Sequence, residues 1–210
     1  IQDWGVTALD CVNGPYEGTL FWRDADRRKN MGKEHSVLTS GETIQELLPT
    51  YKRVTLEHKE GYTCPMTFLG EEETATGTPA KGVEVTFSSY KTGVFTYDSA
   101  SGLYKVEEYG APYVDGNTGE QVAVKNVVVL FTDVSAIKGD SSGRMSVRTT
   151  GTGEGILFCD GVQQPITWSK KNHSSPLEYT DANGQPVKFG VGHTYVNIVS
   201  GASAVTVQEA

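Results

Sequence analysis

The chain contains no run of about 18 apolar residues, so no stretch of it has the length of a membrane-crossing helix. Cysteine is scarce. Cys11, Cys64 and Cys159 follow no Cys-x-x-Cys spacing and are too few for a disulfide scaffold. One pair with one free thiol, or three reduced and partly buried thiols, both remain open. The four histidines, His35, His58, His173 and His193, form no His-Glu-x-x-His pattern and no pair four residues apart, so no metal site is expected. Positive charge is also in deficit. Eighteen Lys and Arg against 26 Asp and Glu leave −8 over 210 residues, which argues against a nucleic-acid backbone as the partner. The first residue is Ile1, and neither a signal peptide nor a lipobox-like Cys opens the chain. It is therefore expected to be a piece of a longer precursor.

What is present is β-forming. Twenty-four glycines, with many Val and Thr, argue against a helical bundle. Gly18–Arg23 reads as a strand, and Lys52–His58 alternates as a half-buried strand should. Between them Ser40 is a candidate N-cap for a short helix over IQELL, with Glu42 in its first turn and Pro49 as its stop. Residues 70–82 are polar, carry three consecutive acids and Pro79, and read as a mobile loop. From residue 83 onward apolar strands alternate with Asp-, Asn- and Gly-rich turns, among them 98–102, 115–120 and 181–184. The run Val127–Phe131 does not alternate, as expected of a strand covered on both faces. The predicted fold is α+β and predominantly antiparallel β: a curved sheet, sandwich or partial barrel, with one or two short helices in the N-terminal third. Residues 1–69 form an N-terminal segment packed on the sheet, 70–82 a loop, and 83–210 the β-rich body, together one structural unit.

Several motifs invite chemistry. Gly139-Asp140-Ser141-Ser142-Gly143 matches the nucleophile-elbow spacing, but strands flank it on both sides where a following helix is required. It reads as a hairpin loop with local hydrogen bonds. The glycines of 151–155 run into a strand instead of a helix N-terminus, so they mark a bulge or bend, not a phosphate loop. Asp115–Glu120 has alternating oxygen ligands but lacks the later bidentate Glu of a calcium loop, and a hairpin turn explains it equally well. The most unusual stretch runs from Arg23 to His35. It places Arg23, Arg27, Arg28, Lys29 and Lys33 against only Asp24 and Asp26 in an acidic protein. Arginine suits bidentate carboxylate recognition. The segment is thus either an anion-binding site that includes His35, or a loop ordered by its own Asp–Arg pairs.

Four segments in order resemble the C-terminal portion of the YerB-like lipoproteins of Gram-positive bacteria, a family of unassigned function. They are Phe21–Arg23 with Asp26–Arg28 and His35–Ser40; Phe95–Asp98 with Tyr104 and Asp115–Val129; Gly153–Gly155 with Asp160-Gly161 and Trp168–Lys170; and Asp181–Val187 with Gly192–Val196. The chain departs from the family pattern at Glu34, Val106 and Tyr113, where relatives carry Pro, Arg and His. The resemblance implies an extracytoplasmic protein, membrane-anchored through a lipidated Cys upstream of Ile1, and a further domain ahead of this region as a partner. No cofactor is expected. No set of nucleophile, base and orienting group assembles from neighbouring motifs. The expected role is therefore a non-catalytic binding or interaction module at the cell envelope, with a wall polymer or envelope protein as partner. Its expected ligand-binding residues are Arg23, Asp26, Arg27, Arg28, His35, Trp168 and Lys170. Two alternatives are a cell-envelope hydrolase or transferase using His35 as base with Asp115 or Asp26, and a scaffold for the preceding domain.

Overall fold

The computed structural model describes residues 19–51, 57 and 60–209. The chain divides into two compact units, Ile1–Thr63 and Cys64–Ala210. In the first unit, strand β1 (Trp22–Arg23) is followed by helix α1 (Ala25–Met31), strand β2 (Val37–Leu38) and helix α2 (Gly41–Leu47). β1 and β2 pair antiparallel. The Ser40 side chain accepts the Thr43 N–H at 3.1 Å and so caps α2, and the chain leaves that helix through a 3₁₀ turn containing Pro49. The strand expected over Lys52–His58 lies almost wholly outside the described residues, as does Cys11.

The second unit is built of strands β3 (Thr67–Phe68), β4 (Thr78–Thr86), β5 (Thr92–Asp98), β6 (Leu103–Glu108), β7 (Ala111–Pro112), β8 (Ala123–Val124), β9 (Asn126–Phe131), β10 (Val134–Ala136) and β11 (Met145–Val147). They continue as β12 (Gly151–Cys159), β13 (Val162–Lys170), β14 (Glu178–Thr180), β15 (Lys188–Phe189), β16 (Thr194–Val199) and β17 (Val205–Glu209). The main sheet runs β16-β9-β12-β13-β4-β5-β6-β7, with β14, β17 and β8 attached to β13, β4 and β6. It is a curled, mostly antiparallel half-barrel, as expected from the sequence, and no helix among the described residues is long and apolar enough to cross a membrane. The curl follows from the pairing. β8 bonds to β6 and runs through Lys125 alone into β9, so the path from β9 round to β6 returns on itself.

β9 lies between two cores. Val127 and Val129 pack with Val83, Phe95, Tyr104 and Phe158 inside the curl. Val128 and Leu130 pack with Leu157, Ile166, Trp168 and Phe189 on the other face. Successive strand residues point to opposite sides, so a strand covered on both must be apolar throughout. Two boundaries differ from the sequence reading. Met66 packs against the second core and β3 pairs with β15, which draws 64–69 into the second unit. β4 begins at Thr78, inside the expected loop, because Thr78 and Pro79 pair with Gln163 and Val162. The glycines of 151–155 lie within β12, not in a bend before it. A Cβ on Gly153 would sit 2.5 Å from the Trp168 indole nitrogen and 2.7 Å from the Phe131 carbonyl, so the absence of a side chain there lets Trp168 cross the strand.

Because both faces of β9 are dry, Val127→Thr and Val128→Thr should each destabilise the domain by about 1–3 kcal/mol, the cost of burying an unpartnered hydroxyl. Urea unfolding of the two variants checks this. If one is tolerated without loss, its face is not covered.

Candidate functional site

The basic segment forms a closed excursion between β1 and β2. The Asp24 N–H donates to the Ser36 carbonyl at 2.8 Å and shuts its base. The Asp24 carboxylate accepts the Arg27 N–H at 2.7 Å and caps α1, and Gly32, at φ 102°, breaks that helix. Arg23 turns inward: its guanidinium donates to the Lys33 carbonyl at 2.5 Å and to the hydroxyl of buried Ser36 at 3.1 Å. Arg23 is thus a brace of the loop. Arg27, Arg28 and Lys29 are exposed on α1, and no ion pair or side-chain hydrogen bond engages them among the described residues. The Asp24 cap works through a backbone N–H instead of the expected Asp–Arg pairs. Arg28 and Lys29 stand in the last turn, where the helix dipole favours cations. Asp26 is exposed in the first turn. His35 is exposed at the end of a 3₁₀ turn, and its side chain makes no hydrogen bond to a carboxylate among the described residues.

The remaining sequence candidates lie in the second unit, in structural positions. Trp168 is buried, and its indole N–H donates to the Phe131 carbonyl at 3.0 Å while the Arg148 guanidinium stacks over the ring. The Lys170 ammonium, also buried, donates to the carbonyls of His173 and Ser175. Asp115 accepts the N–H groups of Asn117 and Thr118 at 2.9 and 2.8 Å and organises its own hairpin turn. Those bonds hold its carboxyl below the usual range. Asp140 plays the same part in the Gly139–Gly143 loop, accepting from Ser142 and Arg144, and its pKa falls to about 2.

The sequence reading missed a concavity in the second unit. A cavity of about 400 Å³ is lined by Leu69, Gly70, Glu71, Glu73, Lys125, Asp160, Gly190 and Val191. Asp160 and Gly161 form the two-residue turn between β12 and β13, both with positive φ, 51° and 75°. The Asp160 carboxylate accepts the Lys125 ammonium at 2.5 Å and the Ala75 N–H at 3.1 Å. Lys125 is placed by the junction of β8 and β9, where its own N–H and that of Asn126 both donate to the His193 carbonyl. The buried Asn126 amide clamps the facing loop: its oxygen accepts the Gly190 N–H and its nitrogen donates to the Gly190 carbonyl, both at 2.8 Å.

Lys125 and Asp160 hold each other in their charged forms. Hydrogen bonding to Asp160 raises the Lys125 pKa and keeps the ammonium protonated. Partial burial works to raise Asp160, but the Lys125 ammonium and the Ala75 N–H together hold it below the usual carboxylate range. Burial pushes the neighbouring Cys159 thiol up to about 11, and burial likewise raises Tyr104. Each of these four shifts moves the group away from neutrality, whereas a general acid or base works best with its pKa near the working pH. The arrangement suits holding a ligand or a fold. Cys64 and Cys159 are both free thiols, the first exposed and the second buried.

A model of the C-terminal domain of DUF3048, a protein of unknown function, matches residues 83–196, more than half of the chain. The chain belongs to this family. The chain is 27% identical to "Putative lipoprotein YerB" of Bacillus subtilis (strain 168), over 96% of its own length and 58% of that protein. It also superposes on the crystal structure of the YerB protein from Bacillus subtilis with a TM-score of 0.69 at 22% identity, covering 93% of this chain and 61% of that one. That likeness is one of fold. The DUF3048 chain spans about three fifths of the length of both relatives.

Asp160→Asn keeps the turn, since Asn tolerates positive φ, and removes the charge. The Asp160 carboxyl has a folded pKa below its free value, so its stabilisation is complete above about pH 4 and is lost as pH falls through the lower folded value. At pH 7 the variant should be less stable by about 1–2 kcal/mol, and the gap should close toward pH 2. Urea midpoints at the two pH values measure it. A gap that persists unchanged in acid would remove the ion pair as its cause.

Proposed function

We propose that this chain is the extracytoplasmic part of a lipid-anchored protein and acts as a non-catalytic interaction module at the cell envelope, with the cationic face of α1 as its recognition surface. The observation that carries this reading is the division of labour within 23–36. Arg23 and Asp24 direct their side chains into the loop and fix its pose, and Arg27, Arg28 and Lys29 are left exposed without ion pairs among the described residues. A chain of net charge −8 that keeps a small, rigid cationic face has a feature suited to an anionic partner. The partner chemistry is an anionic wall polymer or an acidic envelope protein. The name of the Bacillus subtilis relative, "Putative lipoprotein YerB", supports attachment to the membrane through a lipid group. The longer relatives leave room for a further domain of the same protein as a second partner.

The purified domain should co-sediment with Gram-positive cell walls more than a neutral control protein does. Replacing Arg27 and Arg28 together by Glu should weaken retention about tenfold or more, and raising the salt should weaken the wild type in the same direction. Retention equal to the control, or unchanged by the charge reversal, would defeat this reading.

A further inference from the structure

In the second unit a set of aromatic rings gathers on two neighbouring turns. Phe87, Tyr90 and Lys91 lie in the β4–β5 connection and Tyr109 in the β6–β7 connection. Phe87, Tyr90, Tyr109 and Tyr113 are 39%, 79%, 61% and 45% exposed, a concentration of surface aromatics that a domain of this size does not need for its core. The cluster is rigid. The Phe87 and Ser88 N–H groups donate to the Lys91 carbonyl, and the Tyr109 N–H donates to the Thr92 carbonyl across the two turns. The Lys91 ammonium lies 5.4 Å from the centroids of both the Phe87 and Tyr109 rings and holds them to one another.

Tyr109 stands against the local rule. It has φ 54° and is followed by Gly110 at φ 75°, the geometry of a two-residue hairpin turn whose first position favours Asn or Asp. A bulky residue there is strained, and strain of this kind collects where a side chain has a task. Its ring is mostly exposed, so that task is not to fill the core.

Charge separates the classes of occupant. Lys91 lies 3.6 Å from Glu108, whose other neighbour is the Tyr195 hydroxyl, donating at 2.7 Å. The cation and the carboxylate cancel, so the patch offers an anionic polymer little. It offers the exposed rings of Tyr90, Tyr109 and Phe87, the two tyrosines carrying phenolic hydroxyls and the Lys91 ammonium lying over one side of Phe87 and Tyr109. A sugar ring presents the complement: a flat C–H face bordered by hydroxyls. We infer that Phe87, Tyr90 and Tyr109 form a surface for a neutral glycan strand, separate from the cationic surface of α1.

The test uses chitotetraose and cellotetraose as probes in NMR titrations of the whole chain. Saturable shifts of the Phe87–Lys91 and Tyr109–Gly110 amides with either probe are expected. Tyr109→Asn gives the turn its preferred residue, so its Tm should be unchanged or higher, and affinity should fall at least tenfold. Tyr90→Ala should weaken binding in the same direction. The Arg27→Glu, Arg28→Glu double variant should bind both probes as the wild type does, which keeps this result independent of the α1 reading. Absence of saturable binding to both sugars overturns the inference, as does full affinity in Tyr109→Asn, or a patch that captures only protein.

Discussion

The two-residue turn at Asp160-Gly161 is where chain-distant parts of the sheet are tied together. Its carboxylate holds Lys125 at the β8–β9 junction and the backbone of Ala75. The Gly161 N–H donates to the Tyr104 hydroxyl on β6, and the Gly161 carbonyl accepts the Ala80 N–H on β4. A Cβ at Gly161 would meet the Tyr97 ring at 2.7 Å, so the ring can lie over the turn only because glycine is there. Loss of any one of these bonds leaves a polar group with reduced access to water, which costs more than the bond itself contributes. The cavity beside Lys125 is built around this node.

The second constraint is the double burial of β9. Its apolar run is shared between the interior of the curl and the core beneath β3, β14 and β15. No polar residue fits between Val127 and Leu130, and the strand is fixed in register by neighbours on both sides.

Much of the fold was legible because its signals are local. The unalternating Val127–Phe131, the Ser40 cap and the turns at Gly102, Gly119 and Gly184, all with positive φ, each follow from a few adjacent residues. The start of β4 at Thr78 was not legible, since its polar residues are strand only through pairing with β13. The candidate surface of the first unit was visible as a run of cations, but not the different fate of Arg23, whose carbonyl and hydroxyl partners lie ten and thirteen residues away. Trp168 and Lys170 read as site residues by type, and the structure places both inside, Trp168 because Gly153 opposite it leaves room for the ring and Lys170 because the carbonyls of His173 and Ser175 receive its ammonium. The Asp160-Gly161 turn could be read as a hairpin. That its carboxylate meets Lys125 depends on the curl of the whole sheet, which no short window encodes.

β16 lies beside β9 in parallel, and β17 closes on β4 from the far end of the sequence. Strands so remote from their partners can dock only after nearly all the intervening chain is available, and such order of assembly slows acquisition of the native state. A nascent polypeptide of this design could form its hairpins early, but its sheet would be completed only once β16 and β17 had been synthesised.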